Sequence, residues 1–135
     1  MKKRIMVVDD TALVRLILQE IVKTADDLEL VAVGKNGQEA LDKLGEAKPD
    51  LIMTDIEMPV MDGLTFLKHA RLKTRAKIIV LSSIATTGSK AATEAKRLGA
   101  DAVICKPMGA ATLDAETTQY VLGAIREQLN LKQAS

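Results

Sequence analysis

Five short, mostly apolar runs constrain the fold of this chain more than any other feature. They lie at residues 5–8, 30–33, 51–54, 78–81 and 102–105. Each run is continuous rather than alternating, which is typical of a strand covered on both faces by helices. Apolar residues at helical spacing stand between the runs. This alternation predicts an α/β protein with a doubly wound, five-stranded parallel sheet and right-handed crossovers.

The helical segments have recognisable ends in the sequence. Thr11 is the expected N-cap of the first helix, because its hydroxyl can accept a hydrogen bond from a backbone N–H. Two other helices are expected to end near Gly45 and Gly99. The helix after Gly63 is expected to reach about Leu72. The residues predicted to share one side of that helix are Leu64, Leu67, Ala70 and Arg71.

Composition excludes several classes of protein. The 135 residues suffice for one domain with a single core. Nineteen Lys and Arg against 18 Asp and Glu leave a net charge of +1, too balanced to favour nucleic acid as a partner. A single cysteine excludes an internal disulfide, and no apolar run reaches the roughly 18 residues of a membrane span. We therefore expect a cytoplasmic protein that neither binds nucleic acid nor inserts into a membrane.

Polar side chains stand where four of the predicted strands end. Asp9 and Asp10 follow the first strand, and Asp55 ends the third. Ser82 and Ser83 follow the fourth strand, and Lys106 follows the fifth. Turn residues at 58–59 and 62–63 stop the third strand just past Asp55, so this acid is expected to face solvent. Ligands of doubly wound sheets bind at this edge, which makes these residues the candidate site.

The chemistry of this set favours phosphoryl transfer with a metal ion. Carboxylates a few ångströms apart repel each other by about 4 kcal/mol at an effective dielectric of 20, so a cation is expected among them. An all-oxygen site favours Mg²⁺. Asp55 would be the nucleophile, Lys106 would neutralise the transferring oxygens, and Ser82 would donate a hydrogen bond to the product.

Four motifs together resemble the receiver domain of bacterial two-component response regulators. They are VVDD near the start, DIEMPVMDG around Asp55, the serine pair after IIVL, and the late KP. The resemblance covers nearly the whole chain. It implies a flavodoxin-like receiver fold of strand order 2-1-3-4-5, with the domain at residues 1–131 and a polar tail or the start of a linker at 132–135.

Carried onto this sequence, the resemblance assigns roles to individual residues. Asp55 is the implied phosphoacceptor. The implied Mg²⁺ ligands are Asp10, Asp55 and the backbone carbonyl of Glu57, with Asp9 acting through water. Ser82 and Lys106 are the implied phosphate-binding residues. Ser83 could exchange roles with Ser82, and a cis peptide is expected before Pro107.

The resemblance also implies partners and a signalling role. A sensor histidine kinase would donate the phosphoryl group, and an output protein or domain would dock on the fourth helix, fifth strand and fifth helix. Such a receiver is no enzyme beyond catalysing its own phosphorylation and dephosphorylation. The sequence is most similar to the receiver module of chemotaxis methylesterases. The alternative to a separate regulator is therefore an excised regulatory domain of such a methylesterase.

Some features depart from the family pattern or leave other hypotheses open. Val103 stands where the family usually has Tyr or Phe, so no aromatic ring can turn there to report phosphorylation. A haloacid-type phosphatase would need Asp at position 57, where this chain has Glu57. A degenerate receiver acting as a constitutive binding module would lack a site residue, and none is missing from the sequence. Arg15 on the first helix is expected to be a solvated charge.

Overall fold

The computed structural model describes residues 2–56, 58, 60–83, 90–107 and 114–132. Its strands are β1 (Lys3–Val8), β2 (Leu28–Gly34), β3 (Leu51–Asp55), β4 (Lys77–Ser82) and β5 (Ala102–Cys105). Its helices are α1 (Ala12–Lys23), α2 (Gly37–Ala47), α3 (Gly63–Arg71), α4 (Lys90–Arg97) and α5 (Ala115–Gln128). The strands form one parallel sheet of order β2-β1-β3-β4-β5, which confirms the predicted architecture.

The central strands β1, β3 and β4 are largely buried because helices cover both faces of the sheet. Alternate residues of each strand point to opposite faces, so β1 sends Ile5 to one core and Met6 to the other. The first core holds the inner residues of α1 and α5, and the second holds those of α2, α3 and α4. This double burial explains why no strand alternates between apolar and polar residues.

The inner face of α3 differs from the prediction. Phe66 is fully buried there with Leu67 and Ala70, whereas Leu64 is only half-buried. The Asp62 side chain caps the helix by accepting a hydrogen bond from the N–H of Thr65 at 2.8 Å. The cap fixes the start of α3, and Phe66 packs with Leu67 and Ala70 in the second core.

The end of α2 is also later than predicted. The helix passes through Gly45 and ends at Ala47, where Lys48 adopts a left-handed conformation with φ of 45°. The N–H of Lys48 donates to the Leu44 carbonyl at 3.1 Å, so this lysine takes the place usually given to glycine. Pro49 follows and prevents further helix.

The register of the sheet brings the ends of the central strands together. Asp55 is paired with Leu81, and Ser82 is paired with Cys105. The carboxyl ends of β1, β3, β4 and β5 therefore meet at one edge, where the candidate residues lie. No helix in the described part of the chain is long and apolar enough to cross a membrane.

Candidate functional site

Three carboxylates meet at this edge of the sheet. Asp9, Asp10 and Asp55 each place a carboxylate oxygen within 4.8 Å of the others. Asp10 is exposed, whereas Asp9 is 0% and Asp55 is 3% exposed. The expectation that Asp55 faces solvent is therefore wrong. Neighbouring groups at the strand ends cover this carboxylate and exclude water from most of it.

Lys106 supplies the positive charge that this burial requires. Its ammonium donates a hydrogen bond to Asp55 Oδ2 at 2.7 Å and lies 3.5 Å from Asp9 Oδ2. Burial by itself would lower the pKa of Lys106, but the hydrogen bond to Asp55 and the charges of Asp9 and Asp55 raise it. The ammonium therefore remains charged at neutral pH and bridges the two buried acids.

Asp9 keeps one carboxylate oxygen without a hydrogen bond. Its Oδ1 accepts a hydrogen bond from the backbone N–H of Thr11 at 2.8 Å. Thr11 is the N-cap of α1, as predicted, but its side chain makes no capping hydrogen bond. Its buried Oδ2 accepts no hydrogen bond. Burial raises the pKa of Asp9, against the lowering effects of the Thr11 hydrogen bond and the Lys106 charge. A second cation near Oδ2 would relieve this unfavourable position.

Replacing Asp9 with Asn should stabilise the protein when Mg²⁺ is removed by a chelator. We expect the free energy of unfolding at pH 7 to rise by about 1–3 kcal/mol, because the neutral amide removes a buried charge whose desolvation outweighs its attraction to Lys106. The raised pKa means that the folded state binds this proton more tightly than the unfolded chain does. The wild type therefore loses stability as the pH rises from the unfolded-state pKa through the folded-state pKa, and Asp9→Asn does not.

Urea unfolding of both proteins at several pH values measures this difference. An equal gain at pH 7 and at a pH below the ordinary aspartate pKa would contradict the explanation, because the wild-type acid is then already protonated. Asp26→Asn, at an exposed acid, is the matched control and should leave stability within about 0.5 kcal/mol of wild type.

The ends of β4 and β5 are joined beside the acids. The Ser82 hydroxyl is buried and donates to the Ser83 carbonyl at 3.3 Å, while Ser83 is half-buried. The Lys106 N–H donates to the Ser82 carbonyl at 2.9 Å. A movement of the Lys106 backbone is thus transmitted directly to the strand that carries Ser82.

The peptide bond before Pro107 is trans, so the predicted cis peptide is wrong. A bond before proline favours the trans form by about 0.5–1 kcal/mol. Here the backbone of Lys106 already pairs with β4, and the trans chain continues from that pairing. Glu57, predicted to contribute a carbonyl to the metal, lies outside the described residues.

Two residues that contribute to the site were not identified from the sequence. Gly63 packs against the backbone that follows Asp55, and its N–H donates to the Ile56 carbonyl at 2.6 Å. Arg15, expected to be solvated, donates from Nη1 to the Asp9 carbonyl at 2.7 Å. The sequence signal for Gly63 was the Asp-Gly pair, which indicates a turn but not a close approach to the site.

The residues present fit a hard divalent cation. The site combines three carboxylates, an exposed entrance at Asp10 and a buried Asp9 oxygen that accepts no hydrogen bond. Mg²⁺ prefers this kind of oxygen donor and retains several waters, which the exposed side of Asp10 allows. Asp10 and Asp55 would bind it directly, with Asp9 behind them.

A comparison with known protein families identifies the family of this chain. The response regulator receiver domain family matches residues 5–118. The chain belongs to this family. That match includes all the candidate residues at the strand ends. The family places the chain in two-component phosphorelay signalling.

Individual relatives of this receiver domain come from chemotaxis. A protein-glutamate methylesterase of Syntrophomonas wolfei is 40% identical over 113 residues, which are 84% of this chain and 32% of the relative. The chain thus spans about a third of the length of this curated relative. The response regulator domain of Thermotoga maritima CheB shares the fold with a TM-score of 0.84 and 35% identity, covering 98% of this chain and 99% of that one.

A second solved structure is more similar in sequence. It is the P1 domain of CheA3 in complex with CheY6 from R. sphaeroides, in which the matched chain is 48% identical. The match covers 95% of this receiver domain and 97% of that chain, with a TM-score of 0.79. Both chemotaxis receivers and the receiver modules of methylesterases therefore resemble this chain.

Proposed function

We propose that this chain is a cytoplasmic, phosphorylation-activated switch in which Asp55 accepts a phosphoryl group from the phosphohistidine of a sensor histidine kinase. One observation carries the proposal: Asp55 lies between the Lys106 ammonium, 2.7 Å away, and the carboxylates of Asp9 and Asp10. The Lys106 charge and a metal ion held by the acids each lower the electrostatic cost of bringing a carboxylate to a negatively charged phosphoryl group.

The residues of the chain divide the work of the transfer. A carboxylate oxygen of Asp55 forms the bond to phosphorus while the bond from phosphorus to the histidine nitrogen breaks, and the leaving imidazole takes up a proton. Asp55 needs no general base, because a carboxylate is ionised at neutral pH. Lys106 moves its hydrogen bond from Asp55 to a phosphoryl oxygen, and the Ser82 hydroxyl turns toward another.

Asp10 and Asp55 would hold Mg²⁺, which when bound neutralises charge on the phosphoryl oxygens. Asp9 lies on the buried side of this site. Its buried Oδ2 and the Lys106 ammonium stand 3.5 Å apart, so the two groups also restrain each other before the metal binds.

The kinase would approach over the first turns of α1. Leu13 and Leu16 lie one turn apart there, shortly after Asp10 in the sequence, and are 60% and 54% exposed. Exposed leucines at this spacing can cover the apolar face of a partner helix. The solved complex of CheY6 with the P1 domain of CheA3 supports a kinase-derived partner for this chain.

The signal would leave through backbone contacts, because Val103 replaces the usual aromatic residue. On phosphorylation the Lys106 ammonium would move from Asp55 to a phosphoryl oxygen, and this displacement would pass through the Lys106 backbone to Ser82 and Cys105. The N–H of Cys105 donates to the Tyr120 hydroxyl at 3.3 Å, which carries the movement to α5. The output partner would dock on α4, β5 and α5, where a cavity of about 180 Å³ is lined by Val103, Ala92, Thr93 and Lys96.

Exposure to a small acyl phosphate with Mg²⁺ tests the phosphoacceptor. We expect the wild type to gain the mass of one phosphoryl group and Asp55→Asn to gain none, because an amide cannot attack phosphorus. Asp26→Asn changes an exposed acid outside the site and should be phosphorylated at the wild-type rate. Phosphorylation of Asp55→Asn, measured by intact mass spectrometry, would refute the assignment.

A second candidate function is favoured by the methylesterase relatives. The receiver could regulate a protein-glutamate methylesterase, either as part of the same polypeptide or as a separate chain. The chain has one histidine, His69 on α3, so a Ser-His-Asp set would have to come from elsewhere. The length of the native polypeptide, measured by immunoblot of cell extracts, distinguishes a separate switch from a regulatory module.

A further inference from the structure

Arg15 is bonded to the backbone of a metal-site residue rather than to a carboxylate. Its Nη1 donates to the Asp9 carbonyl at 2.7 Å across the turn between β1 and α1. Within the described residues Arg15 forms no salt bridge, although Asp9 and Asp10 lie at the start of its own helix. A guanidinium offers five donors in a fixed plane, and here it uses one on the main chain.

This bond completes the restraint of Asp9. The Asp9 N–H donates to the Gly34 carbonyl at 3.1 Å, and Asp9 Oδ1 accepts from the Thr11 N–H at 2.8 Å. Arg15 holds the remaining polar group of the backbone, the carbonyl. The remaining oxygen, Oδ2, lies 3.5 Å from the Lys106 ammonium. Arg15 therefore helps to hold the main chain from which the Asp9 carboxylate projects.

The same bond also fixes Asp10. The Asp9 carbonyl belongs to the peptide that leads into Asp10, and a peptide unit is planar. Rotation of this unit would move the Asp10 backbone and the exposed carboxylate together. The helical bond from the Arg15 N–H to the Thr11 carbonyl, at 3.0 Å, anchors the arginine to the first turn of α1. Arg15 thus connects a rigid helix to the peptide between the two acids.

We infer that Arg15 is a positioning residue for the divalent-cation site, acting through the Asp9–Asp10 peptide and not through its charge on the carboxylates. The inference rests on the proposed function only in that Mg²⁺ is the cation. Groups that orient metal ligands in this way typically contribute a factor of 10–100 in metal affinity. Because Arg15 holds a backbone carbonyl and not a ligand atom, we expect the lower end of this range.

Replacing Arg15 with Met tests the inference, since methionine fills similar space and donates no hydrogen bond. We expect the dissociation constant for Mg²⁺, measured by calorimetric titration of the full chain, to rise about tenfold. Arg15→Lys can return one donor to the carbonyl and should recover part of the affinity. The stabilisation that Mg²⁺ adds in urea unfolding should fall for Arg15→Met and partly return for Arg15→Lys.

Arg126→Met is the matched control. Arg126 is another partly buried arginine, and it pairs with Asp27 at 3.1 Å, away from the metal site. Its replacement should lower stability equally with and without Mg²⁺ and leave the dissociation constant unchanged. Wild-type Mg²⁺ affinity in Arg15→Met, or an equal loss of affinity in Arg126→Met, would overturn the positioning role alone. A wild type that binds no Mg²⁺ would overturn the metal site itself and this inference with it.

If Arg15→Met does not fold, Arg15→Ala still decides the question. Alanine has the highest helix propensity, and its side chain donates no hydrogen bond. An affinity for Mg²⁺ equal to that of the wild type would then overturn the inference, and a loss of about tenfold would support it. Backbone amide exchange at Thr11 provides a second measurement, and faster exchange in Arg15→Ala is the expected result.

Discussion

Replacing Gly63 with alanine should lower the free energy of unfolding by about 3 kcal/mol, the upper end of what overpacking costs. A Cβ at this position would lie 2.7 Å from the Cα of Ile56 and would also collide with the Asp55 carbonyl. The neighbouring atoms are backbone, so no side chain can move away. Relief requires either a shift of α3 or a displacement of the end of β3, and both move Asp55.

The same variant should lose most phosphorylation even where it is folded. At low temperature we expect its rate with a small acyl phosphate to fall at least tenfold, because the nucleophile is displaced from Lys106 and the acid pair. Circular dichroism confirms folding under these conditions, and intact mass spectrometry measures the rate. Wild-type stability together with a wild-type rate would show that the close approach of Gly63 to β3 has no consequence.

Gly45 provides the matched control for Gly63. It lies in the interior of α2, and a Cβ there would meet no atom within 4 Å. Gly45→Ala should therefore raise the free energy of unfolding by about 0.5–1 kcal/mol, the difference in helix propensity between the two residues. Phosphorylation should be unaffected. If the free energy of unfolding falls for Gly63→Ala and rises for Gly45→Ala, the loss at Gly63 comes from close packing at the site. It is then not a general consequence of replacing glycine with alanine.

The architecture was predictable because it depends on local patterns. A run such as Ile5 to Val8 is apolar at every position, and only a strand covered on both faces buries all of it. The positions of the site residues followed from the same logic, since parallel strands place their carboxyl ends at one edge. The ends of helices were harder to predict. Whether α2 ends at Gly45 or continues to Lys48 depends on how the helix packs against its neighbours.

The environment of the site was not predictable in the same way. Asp55 stands before turn residues, which indicates exposure. Its carboxylate is nevertheless buried beside Lys106 and Asp9, which follow other strands and lie 51 and 46 residues away in sequence. Arg15 is one of several charged residues on an amphipathic helix, and nothing in its spacing marks it as bonded to Asp9. Both features depend on tertiary contacts between segments, whereas periodicity reports only which face of an element is buried.

Replacing Lys106 with Met should have the largest effect on stability at the site. In the presence of a chelator we expect the free energy of unfolding to fall by about 3–5 kcal/mol, because removing one partner of a buried ion pair leaves charge unpaired. The side chains involved are only 13%, 0% and 4% exposed for Lys106, Asp9 and Asp55, so solvent screens little of this loss. Urea unfolding with and without Mg²⁺ measures it.

The pH dependence of this stabilisation has a definite direction. The folded state raises the pKa of Lys106, so its contribution is fully present below the ordinary lysine pKa of 10.5. It is lost as the pH rises from there through the folded-state value. The difference in stability between wild type and Lys106→Met should thus be constant near neutrality and should shrink only in strongly alkaline solution.

Three comparisons show whether the loss arises from unpaired carboxylates. Mg²⁺ should restore part of the stability of Lys106→Met, by about 2.7 kcal/mol at a hundredfold excess over its dissociation constant. The double variant Asp55→Asn, Lys106→Met should be more stable than Lys106→Met, because one of the unpaired charges is gone. Lys77→Met removes an ammonium that is 48% exposed and 3.9 Å from Asp101, and it should cost less than about 1 kcal/mol. Equal losses for Lys77→Met and Lys106→Met would mean that the ion pair at Asp55 is no stronger than one at the surface.

A folded, Mg²⁺-bound Lys106→Met should still accept phosphate on Asp55. Its affinity for a partner should no longer change, because no ammonium remains to follow the phosphoryl group and move β5.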